Sequence, residues 1–109
     1  MRIDFNELPA MTVPGMNGGA GEMTARMHVS ERGKLIVSAL HPGCSIGPHR
    51  HETSDDINYV LSGKGTAVCL GEAEPLSPGV WHICPKGGEH SIKNDGSEDL
   101  VPLTVVVER

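Results

Sequence analysis

The chain has 109 residues, which suits one small domain better than two. Its formal net charge is −5 at pH 7, and its nine basic residues are scattered, so no basic stripe exists to bind a nucleic-acid backbone or an anionic membrane. Three cysteines without a close pair indicate reduced thiols. We therefore predict a cytoplasmic protein with no signal peptide and no membrane span.

Glycines and prolines interrupt every stretch with helical periodicity, so the chain is predicted to consist of short strands and turns. Residues 1–21 include a Gly-rich segment and are predicted to form an N-terminal arm that leads into a single domain, residues 22–109. Many short strands at near-even spacing predict an all-β sandwich or barrel. The predicted strands are 22–29, 34–40, 56–61, 65–70, 80–84, 90–93 and 100–107.

A group of histidines suggests a metal site. His49 and His51 are two residues apart, and in a strand such residues point to the same face. The same alternation favours Asp56 over Asp55 as a nearby carboxylate, and His90 can complete the set from another strand. Three imidazoles and one carboxylate suit Mn, Fe, Co, Ni or Zn better than Ca or Mg. Taken alone, His-X-His is a weak signal, because a histidine is more often an ordinary surface or hydrogen-bonded residue.

Two motifs around these residues resemble those of the cupin superfamily. The first, Gly-X5-His-X-His-X(3–4)-Glu-X6-Gly, fits residues 43–63, except that Asp56 replaces the glutamate. The second, Gly-X5-Pro-X-Gly-X2-His-X3-Asn, fits residues 79–94 at every fixed position. Aspartate is one methylene shorter than glutamate. Asp56 is therefore expected to reach the metal after a small shift of its strand, or through a water molecule. Otherwise the three histidines alone bind the metal.

The resemblance implies a fold, a cofactor and an assembly. The implied fold is a double-stranded β-helix, a jelly-roll-like cupin barrel with one divalent transition metal (Mn, Fe, Ni, Co or Zn) in its mouth. The resemblance also implies a homodimer, in which residues 11–14 can be a strand exchanged between subunits. The implied metal ligands are His49, His51, Asp56 and His90.

Two further residues are candidates for catalysis. Similar cupins direct alternate residues inward from the strand that contains His82, so this residue can carry a proton or bind substrate; the alternative places it at an outer interface. In the first core strand, alternation puts Met23 and Met27 on one face and Arg26 on the other. Arg26 can bind a substrate carboxylate if its face lines the barrel. An outward, solvated Arg26 is the favoured alternative.

The implied function is to bind and transform a compact oxygen-rich substrate, namely a carboxylate, a hydroxy acid or a sugar fragment. Oxalate-decarboxylase-like chemistry, dioxygenase-like chemistry and isomerisation all fit the resemblance. The alternative is a non-enzymatic cupin that binds or senses a small molecule on its metal. Catalysis is favoured if His82 and Arg26 both point at the metal, and binding is favoured if both point away.

Overall fold

The computed structural model describes residues 1–109 as an all-β protein. Two 3-10 turns, Phe5–Glu7 and Met16–Gly18, are its helical segments, so it has no helix with the length and apolarity needed to cross a membrane. The strands in chain order are β1 (Met11–Pro14), β2 (Glu22–Ser30), β3 (Gly33–Leu40), β4 (Ser45–Arg50), β5 (Ser54–Ser62), β6 (Gly65–Cys69), β7 (Glu72–Leu76), β8 (Trp81–Cys84), β9 (Glu89–Lys93) and β10 (Val101–Glu108).

The strands form two antiparallel sheets whose inner faces enclose the core. The six-stranded sheet has the order β1-β2-β3-β10-β5-β8, and the four-stranded sheet has the order β4-β9-β6-β7. Alternate residues of β5 are buried, as expected for a strand with one face on a core. This arrangement confirms the predicted double-stranded β-helix. The buried apolar cluster comes from both sheets and comprises Met23, Ala25, Leu40, Val60, Ala67, Leu76, Ile92 and Leu100.

Each of the seven predicted strands is present, residues 11–14 also form a strand, β1, and the structure adds β4 and β7. In β4, Gly47 and Pro48 conceal the strand pattern, yet the glycine is required because a Cβ there would lie 2.0 Å from the Asn17 carbonyl oxygen. In β7, Pro75 argues against a strand in the sequence. The structure tolerates Pro75 because β7 is an edge strand, where the N–H that proline lacks is not needed for a hydrogen bond to a further strand.

The N-terminal segment packs along both sheets. Strand β1 pairs antiparallel with β2 of the same chain, from Met11 opposite Ala25 to Pro14 opposite Glu22. The backbone N–H of Ser45 then donates to the Ala20 carbonyl at 2.8 Å, which joins the segment to the four-stranded sheet. Two expectations remain predictions: that residues 11–14 are exchanged between subunits, and that the domain begins at residue 22.

Two apolar rows, which we call the outer rows, cross the outer face of the six-stranded sheet. In each row, every residue sits opposite the next one on the neighbouring strand. At the edge strand β8, Trp81 is 58% exposed and Ile83 is 53% exposed. One row comprises Val37, Leu103, Tyr59 and Trp81; the other comprises Leu35, Val105, Ile57 and Ile83.

Candidate metal centre

Three histidines converge from the four-stranded sheet. His49 in β4 sits opposite His90 in β9, next to a shift in register. His51 lies one residue beyond β4, so strand alternation does not explain its direction. Its backbone N–H donates to the Gly88 carbonyl at 3.0 Å and its carbonyl accepts from the Gly87 N–H at 2.6 Å. The turn between β8 and β9 therefore fixes His51 beside His49.

The three Nε2 atoms form a nearly equilateral triangle. They are separated by 3.1 Å for His49 and His51, 3.0 Å for His51 and His90, and 3.1 Å for His90 and His49. Metal–nitrogen bonds of about 2.1 Å at right angles place two nitrogens about 3.0 Å apart, whereas tetrahedral angles require about 3.4 Å. At separations of 3.0–3.1 Å, the three nitrogens are close enough to bind one metal ion together.

The protonation of these rings also suits a metal. The Nδ1 atom of His49 lies 2.8 Å from the Gly47 carbonyl. A carbonyl can only accept, so Nδ1 carries the proton and Nε2 of the neutral ring presents a lone pair. Burial lowers the pKa of His51; Asp56 acts in the opposite direction, but His90, His49 and Lys34 add to the decrease. Neutral rings with lone pairs directed at one point are what a cation requires.

Asp56 supplies an oxygen next to the same point. Its Oδ2 atom lies 3.2 Å from Nε2 of His90 and 3.5 Å from Nε2 of His51. The side chain of Asn58 donates to this oxygen at 3.1 Å, and Thr104 donates to Asn58 at 2.7 Å. Burial is the largest influence on the pKa of Asp56 and raises it. The contact with His90, the hydrogen bond from Asn58 and the proximity of His51 together outweigh burial, so the pKa lies below its usual value.

Asp55 points away from the histidines, as the alternation along β5 predicts. Its carboxylate accepts the backbone N–H of Lys86 at 2.8 Å and pairs with the guanidinium of Arg109 at 3.1 Å. The hydrogen bond from Lys86 is the largest influence on the pKa of Asp55 and lowers it; desolvation raises it, and the hydrogen bond and charge of Arg109 lower it further, so the pKa lies below its usual value. This carboxylate joins the turn between β8 and β9 to the C-terminal residue and is not available to the metal site.

A cavity of about 340 Å³ between the sheets reaches the three histidines and Asp56. Apolar side chains from both sheets line this cavity, and we call six of them the methionine wall: Met16, Met23, Met27, Ile36, Ile46 and Ile92. The polar residues Ser38, Asn58 and Thr104 line it beside them, and Thr104 is the cross-strand neighbour of Ile36. Charged residues that line it and are exposed to solvent are Lys34, Arg50, Glu52 and Glu108.

His82 is buried directly behind His90 and does not line the cavity. Its Nε2 atom lies 2.9 Å from Nδ1 of His90, and the two rings are stacked at 21°. On its other side, Nδ1 lies 3.0 Å from a carboxylate oxygen of Glu74. The sequence left His82 open between the pocket and an outer interface, and it did not predict Glu74, which lies in the unpredicted strand β7. Because His82 does not line the cavity, its position gives no support to the predicted substrate contact.

Arg26 lies on the outer face of the six-stranded sheet. It pairs with Val37, an outer-row residue, whereas Met23 and Met27 of the same strand line the cavity. Its guanidinium donates to the Phe5 carbonyl at 3.0 Å and so holds the N-terminal turn. The placement matches the outward alternative and gives no support to the predicted binding of a substrate carboxylate.

The family model for the cupin domain matches residues 36–106. Because this match covers well over half of the chain, the protein belongs to the cupin family. The fold, the family match and the three histidines together define a small cupin whose histidines can hold a metal ion.

The chain is also similar to individual cupins of other organisms. It is 30% identical over 113 aligned positions to an oxalate-binding protein of Thermotoga maritima, covering 98% of this chain and 93% of that protein. The crystal structure of a predicted oxalate decarboxylase from Thermotoga maritima covers 100% of both chains with a TM-score of 0.93 and 30% identity. A crystal structure from Thermus thermophilus covers 98% of this chain and 90% of its own, with a TM-score of 0.71 and 26% identity.

Proposed function

We propose that this cupin binds one divalent transition metal through His49, His51, His90 and Asp56 and holds a small oxygen-bearing ligand on it. The observation that carries the proposal is the triangle of Nε2 atoms, 3.0–3.1 Å apart and open to the cavity. Mn, Fe, Co, Ni and Zn all suit this set of nitrogen and oxygen donors. The ligands lie on one side, which leaves positions for water or substrate.

When bound, the metal supplies Lewis acidity or, for Mn and Fe, redox chemistry. The residues of the chain orient it. The Gly47 carbonyl fixes the tautomer of His49, and Asn58 holds the carboxylate of Asp56 in place. For His82 we propose a positioning role through His90, because it touches that ring and not the cavity.

The test is the metal content of the protein expressed without a His-tag and purified without chelators. About one equivalent of a transition metal per chain, measured by plasma mass spectrometry, is expected in the wild type. The double variant His49→Ala/His90→Ala should lose it, whereas His28→Ala, on the outer face, should keep it. A wild type that binds no metal even after reconstitution would refute the proposal.

The positions of Arg26 and His82 favour binding without turnover, because neither side chain reaches the cavity. Turnover of a carboxylate or related substrate, oxalate-decarboxylase-like or dioxygenase-like, is the second candidate. It is supported by the likeness along the full chain to a predicted oxalate decarboxylase. The metal-loaded protein should be assayed for CO2 release from oxalate and for O2 consumption, with the double histidine variant as the blank. Activity that follows metal loading would establish the enzyme.

We further propose a homodimer in which the outer rows of two subunits face each other. A contiguous apolar patch on a small protein is typical of such an interface. Sedimentation velocity should give a dimer for the wild type and a monomer for Trp81→Glu. The control is Val68→Glu, which alters a residue 42% exposed on the other sheet and should leave the dimer intact. A monomeric wild type, or a dimeric Trp81→Glu, would contradict this interface.

For the compartment we propose the cytoplasm. The free thiols of Cys44, Cys69 and Cys84 support a reducing environment. Localisation of the tagged chain in its own cells tests this directly, and a secreted protein would overturn it.

A further inference from the structure

We propose that the ligand has a single oxygen-bearing head group and an apolar body. The head group binds at the metal centre and the body lies along the methionine wall. The position of the head group rests on the proposed function. The apolar body follows from the shape and lining of the cavity alone, with or without a metal.

The cavity is much larger than a minimal metal ligand requires. Its volume is about 340 Å³, whereas a site for one water needs only about 10–15 Å³ on the same kind of measure. A two-carbon diacid on the metal would leave most of this space without contacts. A ligand that fills the cavity extends from the metal centre across the methionine wall.

The methionine wall is built for apolar contact. Met23 and Met27 come from β2 and Met16 from the N-terminal segment, so three of the five methionines of the chain meet at one cavity. Met23 and Ile92 are each only 5% exposed. Methionine is unbranched and polarizable, and it adapts to ligands of irregular shape. Apolar surface of this kind gains from contact with an apolar occupant.

The charges of the cavity argue against a second anionic group on the ligand. The polar side chains that line the cavity beside the wall already pair with one another, from Thr104 through Asn58 to Asp56. The two cations that line the cavity are exposed, and the guanidinium of Arg50 is bound to the Gly87 carbonyl. Lys34 remains, and it is also exposed. A second carboxylate at the methionine wall would therefore lose part of its hydration with only one exposed cation, Lys34, to compensate.

The first experiment uses metal-free protein labelled with 13C in its methionine methyl groups. Titration with n-hexanol should shift the resonances of Met16, Met23 and Met27 and leave those of Met1 and Met11 in place. The latter two are an internal control, because they are exposed and outside the cavity. Ethanol at the same concentration should have a much smaller effect. Equal shifts for all five methyl groups, or none, would overturn the apolar body.

The second experiment adds the head group. Hydroxamates of increasing alkyl length, which share one metal-binding group, are titrated by calorimetry into the metal-loaded protein beside oxalate. Each buried methylene should lower the Kd about fourfold until the wall is covered. Met27→Gln should reduce this dependence on length, and Leu35→Gln, on the outer face, should leave it unchanged.

The outcomes separate this inference from the function on which it rests. A loaded protein whose Kd is the same for every chain length, or lowest for oxalate, overturns the inference and leaves the metal centre intact. A protein that takes up no metal refutes the proposed function. In that case the methionine resonances still decide whether the cavity accepts an apolar body.

Discussion

The Nε2 atom of His82 lies 2.9 Å from Nδ1 of His90, and a carboxylate oxygen of Glu74 lies 3.0 Å from the other nitrogen of His82. A carboxylate accepts, so Nδ1 of a neutral His82 carries the proton and Nε2 accepts from Nδ1–H of His90. His90 is then left with a lone pair on the Nε2 atom that faces His49 and His51. The chain from Glu74 to His90 therefore selects the tautomer that a metal ligand needs.

Replacing His82 with alanine is expected to weaken metal binding by about 10- to 100-fold, the usual effect of losing a partner behind a ligand. Competition with a chromophoric zinc chelator measures it. Because His82→Ala opens a hole in the interior, Glu74→Ala is the second variant: its side chain is 42% exposed, so the fold tolerates its loss. In metal-free protein, 15N shifts of His90 should report the Nδ1–H form and become mixed in Glu74→Ala.

The matched control is His28→Ala, which removes a histidine from the outer face of β2 and should bind zinc like the wild type. A folded His82→Ala protein with wild-type zinc affinity would show that this hydrogen bond does not support the metal centre.

Asp56→Asn should lower the affinity for Mn²⁺ by about tenfold or more, because it replaces an anionic oxygen with a neutral amide beside the three imidazoles. Manganese binding is followed by electron paramagnetic resonance of the free ion. Asp55→Asn is the control: the two residues are neighbours in sequence, but Asp55 faces Lys86 and Arg109 instead. Equal affinity of both variants would mean that the site uses its histidines alone.

Gly63→Ala should destabilise the protein more than Gly79→Ala. Both glycines have positive φ, +85° and +94°, so each alanine carries a similar backbone strain of about 1–2 kcal/mol. Only at Gly63 does the new Cβ meet the backbone, 2.1 Å from the Asp99 carbonyl oxygen; at Gly79 the space is open. The free energies of unfolding in urea compare the two. Similar losses would show that the Asp99 loop moves aside.

The stability of the protein should depend on the ionised form of Asp55. Its folded pKa is lowered, so its contribution is present above the unfolded value of about 3.9 and is lost as the pH falls through the folded pKa. Asp55→Asn should therefore unfold more easily than the wild type near pH 7, with a smaller difference near pH 2. Thermal unfolding at both pH values tests this, with Glu31→Gln, exposed in the turn after β2, as the control. A difference that grows in acid would contradict it.

The sequence was sufficient to predict the fold and the side chains that meet at the candidate metal centre. It was not sufficient to predict the residues that lie behind those side chains. Fixed spacings between His49, His51 and His90 place all three together, even though His51 is oriented by a turn and not by its strand. Glu74 could not be predicted, because Pro75 conceals its strand and the contact joins two edge strands of different sheets. The resemblance to cupins implies that His82 points inward, but it does not distinguish a position in the cavity from one behind another histidine ring.

The two sheets share no strand, and the four candidate ligands come from both of them: the histidines from the four-stranded sheet and the turn after β4, and Asp56 from β5 of the other. An ion held by both would be a cross-link that the unfolded chain lacks. At a concentration about a thousandfold above its Kd, such an ion adds about 4 kcal/mol to the free energy of unfolding. The lifetime of the protein against proteases would then follow the supply of metal in the cell.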